Sequence, residues 1–134
     1  MTTNIDKKTL RLLDANLNRL REGIRVVEDI YRYIFNDKKT SLELKELRHN
    51  SRIKFYDELL DSRDIKNDVL KSSTKSEQNR LDLNSILIAN FKRAQESSRV
   101  LEEFGKLIDI ETSENFKSIR YRLYHLEKMV TPQI

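Results

Sequence analysis

The chain has 134 residues, 36% of them charged and 37% hydrophobic, with a formal net charge of +4. That length suits one domain with a modest core. Two Gly and one Pro are too few for the many turns of a β-rich fold, and the lack of Cys excludes a disulfide scaffold or a thiolate nucleophile.

Leu10, Leu13, Leu17, Leu20, Ile24, Val27, Tyr31 and Ile34 are spaced 3-4-3-4-3-4-3. This heptad seam predicts a long helix from about residue 6 to 35, with Asn4 or Asp6 as its cap. Asn36-Asp37-Lys38-Lys39 is a polar break. Thr40 or Ser41 is expected to cap a second helix, running to about Leu60 with Leu44, Leu47, Phe55 and Leu59 among its apolar positions. Residues 61–80 read as a polar connector, with Lys71 to Ser76 a loop by composition. A third long helix is expected from about Leu81 to Ile108. A fourth, capped by Thr112-Ser113, is expected to end near Thr131-Pro132.

The helical segments repeat. Ala15 to Asp29 aligns without gaps with Ala89 to Glu103; Ala, Asn, Arg, Glu, Arg, Val and Glu are identical, and Asp29 meets Glu103. Downstream, Thr40-Ser41 pairs with Thr112-Ser113, Leu44-Lys45 with Phe116-Lys117, and Leu47-Arg48 with Ile119-Arg120. The predicted fold is therefore all-α, a single domain over 1–134. Two duplicated helical hairpins, about 5–60 and 81–131, close into an antiparallel four-helix bundle with long first and third helices.

At 100° per residue, Ala15, Arg19, Glu22, Val26, Asp29 and Tyr33 form a second stripe, roughly opposite the seam. Its small and apolar members suggest that this side also meets a helix, which puts Arg, Glu and Asp inside an interface. Gly23, between the stripes, is expected to permit a close approach, because Gly in a helix costs about 1 kcal/mol relative to Ala. Two readings stay open. Glu22, Arg25 and Asp29 have the spacing of ordinary exposed ion pairs. Equally, the charges recur together with core residues, as a binding surface would.

The remaining chemistry is sparse. There is no Gly-rich phosphate loop. His49 and His125 are far apart in sequence, which is poor for zinc. Arg48-His49 on the second helix is a candidate substrate contact or a surface pair. Arg63, Asp64 and Asp68 in the connector are a candidate for holding phosphate and magnesium, or an ordinary surface loop. Basic and acidic residues are interspersed, so nucleic acid is not an expected partner. No run approaches eighteen apolar residues and no leader-like segment opens the chain, so no membrane association is expected and the chain reads as cytoplasmic.

The run from Leu12 to Arg19, Arg21 to Asp29, Leu47-Arg48-His49, Arg63-Asp64 with Asp68-Val69, Ala89 to Arg93, Arg99 to Glu103 and Arg120-Tyr121 resemble a known family. It is the helical N-terminal domain fused to thiamine-phosphate synthase in some bacteria, associated with a monofunctional hydroxymethylpyrimidine-phosphate kinase activity. The resemblance covers nearly the whole chain. Leu70 stands where the family usually has Gly, and Ser97-Ser98 where it tends to be apolar. The chain is too short for the synthase's own (β/α)₈ barrel, which needs roughly 200 residues.

The resemblance implies transfer of a phosphoryl group from ATP, with Mg²⁺, to hydroxymethylpyrimidine phosphate. It implies Arg19, Arg25, Arg93 and Arg99 as phosphate clamps, and Glu22, Asp29, Glu96 and Glu103 as carboxylates that hold them or carry the metal. Asn16 and Asn90 suit the aminopyrimidine edge. Arg48 and His49 are further substrate contacts. Arg63, Asp64 and Asp68 are a lid, with Asp64 and Asp68 as candidate Mg²⁺ ligands. The alternatives are a non-catalytic module that docks on a separate thiamine-phosphate synthase, and a self-associating helical protein without ligand. Self-association is expected, as a homodimer through the long helices with the site near that interface.

Overall fold

The computed structural model describes residues 4–75 and 82–130, and it is all-helical there. Asp6 caps the first helix, α1 (Lys7–Asp29), by accepting the Thr9 N–H at 2.8 Å. The seam residues Leu10, Leu13, Leu20, Ile24, Val27 and Tyr31 are buried as expected, but Ile34 is 56% exposed. The reason is a π-helical turn over Ile30–Ile34, where the Phe35 N–H reaches back to the Ile30 carbonyl. One extra residue in the turn rotates the next positions by about 100°, so the heptad register is lost after Tyr31. Asn36 takes a left-handed φ of 53°, and the Asp37 N–H closes on the Tyr31 carbonyl at 2.8 Å. This is a Schellman-type end with Asn in the place usually held by Gly.

Asp37 caps α2 (Lys38–Asn50) and Asp109 caps α5 (Ile110–Val130). Thr40-Ser41 and Thr112-Ser113 are thus not the caps. Each Thr instead donates its N–H to an Asp three residues earlier, at 3.0 Å and 2.7 Å. The expected helix to Leu60 breaks after Asn50. The Ser51 hydroxyl donates to the Leu47 carbonyl at 2.8 Å, and Phe55 adopts φ 69°. Ile53 then packs on the core, and a short α3 (Tyr56–Ser62) begins with Asp57 and Glu58 in its first turn. The third long helix, α4 (Leu83–Gly105), is capped by Asp82. The expected start at Leu81 and the Thr131-Pro132 end lie outside the described residues.

The two hairpins are clasped by matching ion pairs. Glu28 takes Arg48 through both oxygens at 2.7 and 3.2 Å. Glu102 takes Arg120 at 2.7 and 3.2 Å through one oxygen. All four groups are buried or nearly so. Asn115 donates to the Asn50 carbonyl, and Arg122 reaches Glu43 and Glu46, so α2 and α5 run antiparallel. Each hairpin is itself antiparallel, hence so are α1 and α4. These two make the central contact, at Gly23: a Cβ there would lie 3.1 Å from the Asn90 carbonyl oxygen and 3.4 Å from the Ala94 Cβ. The core seam and the Gly23 approach thus follow the sequence.

The second stripe does not behave as expected. Ala15, Arg19, Glu22, Val26 and Tyr33 are exposed, and no helix among the described residues covers them. The same holds for Arg93, Glu96 and Glu103 on α4. With α2 and α3 beside α1 and α5 beside α4, four long elements already enclose the core, and both stripes point outward.

Candidate functional site

The sequence-predicted residues separate into two groups. Along the exposed faces the charges pair locally. Arg25 meets Asp29 at 3.5 Å, and Arg99 meets Glu102 and Glu103 at 3.6 and 3.1 Å. Lys106 also bonds Glu103, and with Arg99 it holds that carboxyl below the usual range. Glu22, Arg93 and Glu96 are exposed, as is His49 on α2. Arg48 is held by Glu28, whose hydrogen bonds raise its pKa further. Asn90 turns its amide N–H back to the Ile86 carbonyl at 2.8 Å. These groups do not converge.

The others do. A cleft of about 440 Å³ opens between the first half of α1 and the segment after α3, and Asn16, Arg19, Arg63, Asp64 and Asp68 all line it. Lys8, Arg11, Asp14 and Asn18 add to its polar wall. The cleft exists because the chain folds back from α3 onto the start of α1. Arg63 grips Asp14 in a bidentate pair, Nε to Oδ2 at 2.8 Å and Nη2 to Oδ1 at 3.0 Å. Arg11 donates to the Asp64 carbonyl at 3.0 Å, and the exposed pair Lys7–Asp61 lies alongside. Asp14 is only 8% exposed, so its charge needs that partner, and the contact raises the Arg63 pKa.

The carboxylates are largely engaged. Asp64 accepts the Asn67 backbone and side-chain N–H groups at 3.2 and 2.7 Å, which lowers its pKa. One Asp68 oxygen accepts the Leu70 N–H at 3.0 Å. Among the described residues, no group of three or more His, Cys, Asp or Glu is placed to hold a metal ion. A resident metal centre does not fit this wall. The second Asp68 oxygen has no hydrogen bond among the described residues, which leaves one carboxylate oxygen facing the cleft for a cation that arrives already bound to another group. By contrast, Lys8 and Arg19 on the cleft wall have no ion pair among the described residues. Asn16 is 7% exposed with one amide hydrogen on the Leu12 carbonyl, which leaves its carbonyl oxygen for a ligand.

Residues 11–129 match the model of the ThiD2 family. The chain belongs to the ThiD2 family. It is also similar to proteins named thiamine-phosphate synthase: 45% identical over 122 residues to that of Thermosynechococcus vestitus, 42% over 118 to that of Synechocystis, and 41% over 128 to that of Rhodopirellula baltica. These matches cover 90%, 87% and 91% of this chain but only 35%, 34% and 34% of the relatives. The chain thus spans about a third of the length of the curated relatives it matches. No solved structure matches it significantly. Among the described residues no helix is long and apolar enough to cross a membrane.

Sequence reasoning missed Asp14 and Arg11, which carry the fold-back. One signal was present: Asp14 follows the seam residue Leu13 directly, a carboxylate at the margin of an apolar face.

Proposed function

We propose that this chain acts in thiamine biosynthesis as a kinase, moving the γ-phosphoryl group of ATP onto hydroxymethylpyrimidine phosphate in the α1–α3 cleft. The observation that carries the reading is that wall: Lys8 and Arg19, with no ion pair among the described residues, beside carboxylates largely engaged, with an amide at its base. The new P–O bond forms between an acceptor phosphate oxygen and the γ-phosphorus. The bond from that phosphorus to the bridging oxygen breaks, and ADP leaves with the electron pair. A phosphate monoester has its second pKa near 6, so at neutral pH its oxygen is already deprotonated and needs no catalytic base. The difficulty is repulsion between two anions, which Arg19, Lys8 and nucleotide-borne Mg²⁺ offset. Asn16 bonds the aminopyrimidine edge, and Arg63, Asp64 and Asp68 close the cleft.

The test is ADP formation with ATP, Mg²⁺ and the pyrimidine phosphate. Arg19→Ala is expected to lower turnover at least tenfold; unchanged turnover overturns the clamp. Each ligand at a hundredfold excess over its Kd should stabilise the fold by about 2.7 kcal/mol.

A second reading has its own support. Ile65, Val69 and Leu70 are 73%, 93% and 85% exposed on one short segment, as expected of a module that docks on a separate thiamine-phosphate synthase. Stabilisation by that synthase with no response to either ligand would favour it. Under both readings a homodimer through the outer faces of α1 and α4 is the expected assembly, measurable by light scattering.

A further inference from the structure

A second cleft, of about 300 Å³, lies at the elbow between α1 and α2, with Arg32, Asp37, Lys38, Ser41, Leu42 and Lys45 on its walls. Its carboxylates are already engaged. Glu28, 1% exposed at the back of the cleft, holds Arg48 through both oxygens. Asp37 accepts the Thr40 N–H and hydroxyl at 3.0 and 2.7 Å, which keeps it ionised below the usual range. The three cations are free of such partners: among the described residues Arg32, Lys38 and Lys45 make no ion pair, and Arg32 only stacks on Tyr33. The first turn of α2, which supplies Lys38 and Ser41, adds the positive end of its helix dipole.

The hairpin fold does not require this charge. The corresponding positions of the second elbow hold Lys106, Ile110, Glu114 and Lys117 in place of Arg32, Lys38, Leu42 and Lys45; there Lys106 is paired with Glu103 at 3.1 Å and Glu114 adds a negative charge. Among the described residues, three cations without an ion pair thus line a concavity at the first elbow, beside the π-turn and the left-handed Asn36, where the matching positions of the second elbow keep Lys117 alone.

We propose that the elbow cleft binds a small phosphorylated anion, a phosphate monoester or a diphosphate. Arg32, Lys38 and Lys45 hold its phosphate oxygens, and Leu42 lies against its organic part. A volume of about 300 Å³ admits a ligand of that size. The elbow is separate from the kinase cleft. From the clamp Arg19 to Arg32 is thirteen residues, about 20 Å along the helix at 1.5 Å each, whereas reacting atoms must approach to about 3.5 Å. The two clefts cannot hold the two partners of one transfer within a single chain. The elbow site goes beyond the kinase reading and stands without it.

The experiment is a backbone amide NMR titration of the full chain at constant ionic strength, with inorganic phosphate, inorganic pyrophosphate and sodium chloride as probes. Saturable shifts over residues 32–45 are expected with the first two, pyrophosphate binding about tenfold more tightly. The Lys38→Gln/Lys45→Gln variant is expected to weaken pyrophosphate binding at least tenfold, as loss of charged hydrogen bonds implies. Circular dichroism verifies that it stays folded; should it not, Arg32→Gln replaces it with the same expectation. In Arg19→Ala the elbow shifts should persist, which separates this site from the other cleft. Shifts that chloride reproduces, shifts confined to residues 8–19 and 63–68, or binding unchanged in the folded variant each overturn the proposal.

Discussion

Removing the guanidinium of Arg48 is the most informative single change to the fold. Arg48→Ala leaves Glu28, 1% exposed, as a buried carboxylate without its bidentate partner. Breaking one side of a buried pair costs about 3–5 kcal/mol. A chain of this length has on the order of 7–20 kcal/mol of stability in all. With about 2.1 cal/mol/K of unfolding entropy per residue, the loss lowers Tm by roughly 10–18 °C. The assay is urea denaturation followed by circular dichroism, in which the midpoint should fall while the m-value stays constant. The double variant Glu28→Leu/Arg48→Met supplies the control: it removes both charges, fills similar volume, and should recover most of the loss. A penalty under about 1 kcal/mol for Arg48→Ala, or a double variant no more stable than the single one, would refute the claim that the penalty comes from a stranded charge.

Three further outcomes follow from specific contacts. Tyr31 is fully buried with an unpartnered hydroxyl, and burial, with the nearby Asp37, pushes its pKa up to about 12. Its folded pKa lies above the unfolded value near 10, so stability is intact below pH 10 and declines as pH rises through about 12; Tyr31→Phe should remove that decline in pH-dependent melting. Gly23→Ala gains about 1 kcal/mol of helix propensity but meets the Asn90 carbonyl at 3.1 Å, so denaturation should show little net change, whereas Gly23→Leu should cost at least about 2 kcal/mol. Asp37→Ala removes a cap and should destabilise by about 1 kcal/mol; its depressed folded pKa means that this contribution is present above pH 4 and lost as pH falls below, so the variant and parent should converge in acid.

The features legible in the sequence were those written in periodicity. The seam from Leu10 to Tyr31, the close approach at Gly23 and the polar elbow after Phe35 all follow from local rules. The π-turn was hidden, since nothing in Ile30-Tyr31-Arg32-Tyr33-Ile34 differs locally from an ordinary helical run. The break after Asn50 was hidden too. It carries no Gly or Pro and depends on the Ser51 hydroxyl and on the burial of Ile53 against distant helices. The caps were misplaced because Thr and Ser stood at plausible positions while an Asp three residues earlier took the role. At the site, the connector residues Arg63, Asp64 and Asp68 and the α1 residues Asn16 and Arg19 stand out separately, but no spacing rule joins the two segments, whose link runs through Asp14 and Arg63, 49 residues apart. The Glu28 and Glu102 anchors were present as identities in the repeat, and their charge on a buried face was the signal to follow.

Among the described residues, every wall residue of the α1–α3 cleft comes from residues 8–68. The described residues of the second hairpin contribute none, and they touch the first along the α1–α4 seam and at the α2–α5 edge. Occupancy of the cleft therefore acts on local opening in one half of the molecule. Amide exchange in α1 and α3 should slow when it fills, while exchange in α5 keeps its resting rate except where whole-molecule unfolding is the only route. The second hairpin meets the first through the groove that receives Gly23, so the close approach fixes the backbone of α4 at Asn90 and the small side chain at Ala94.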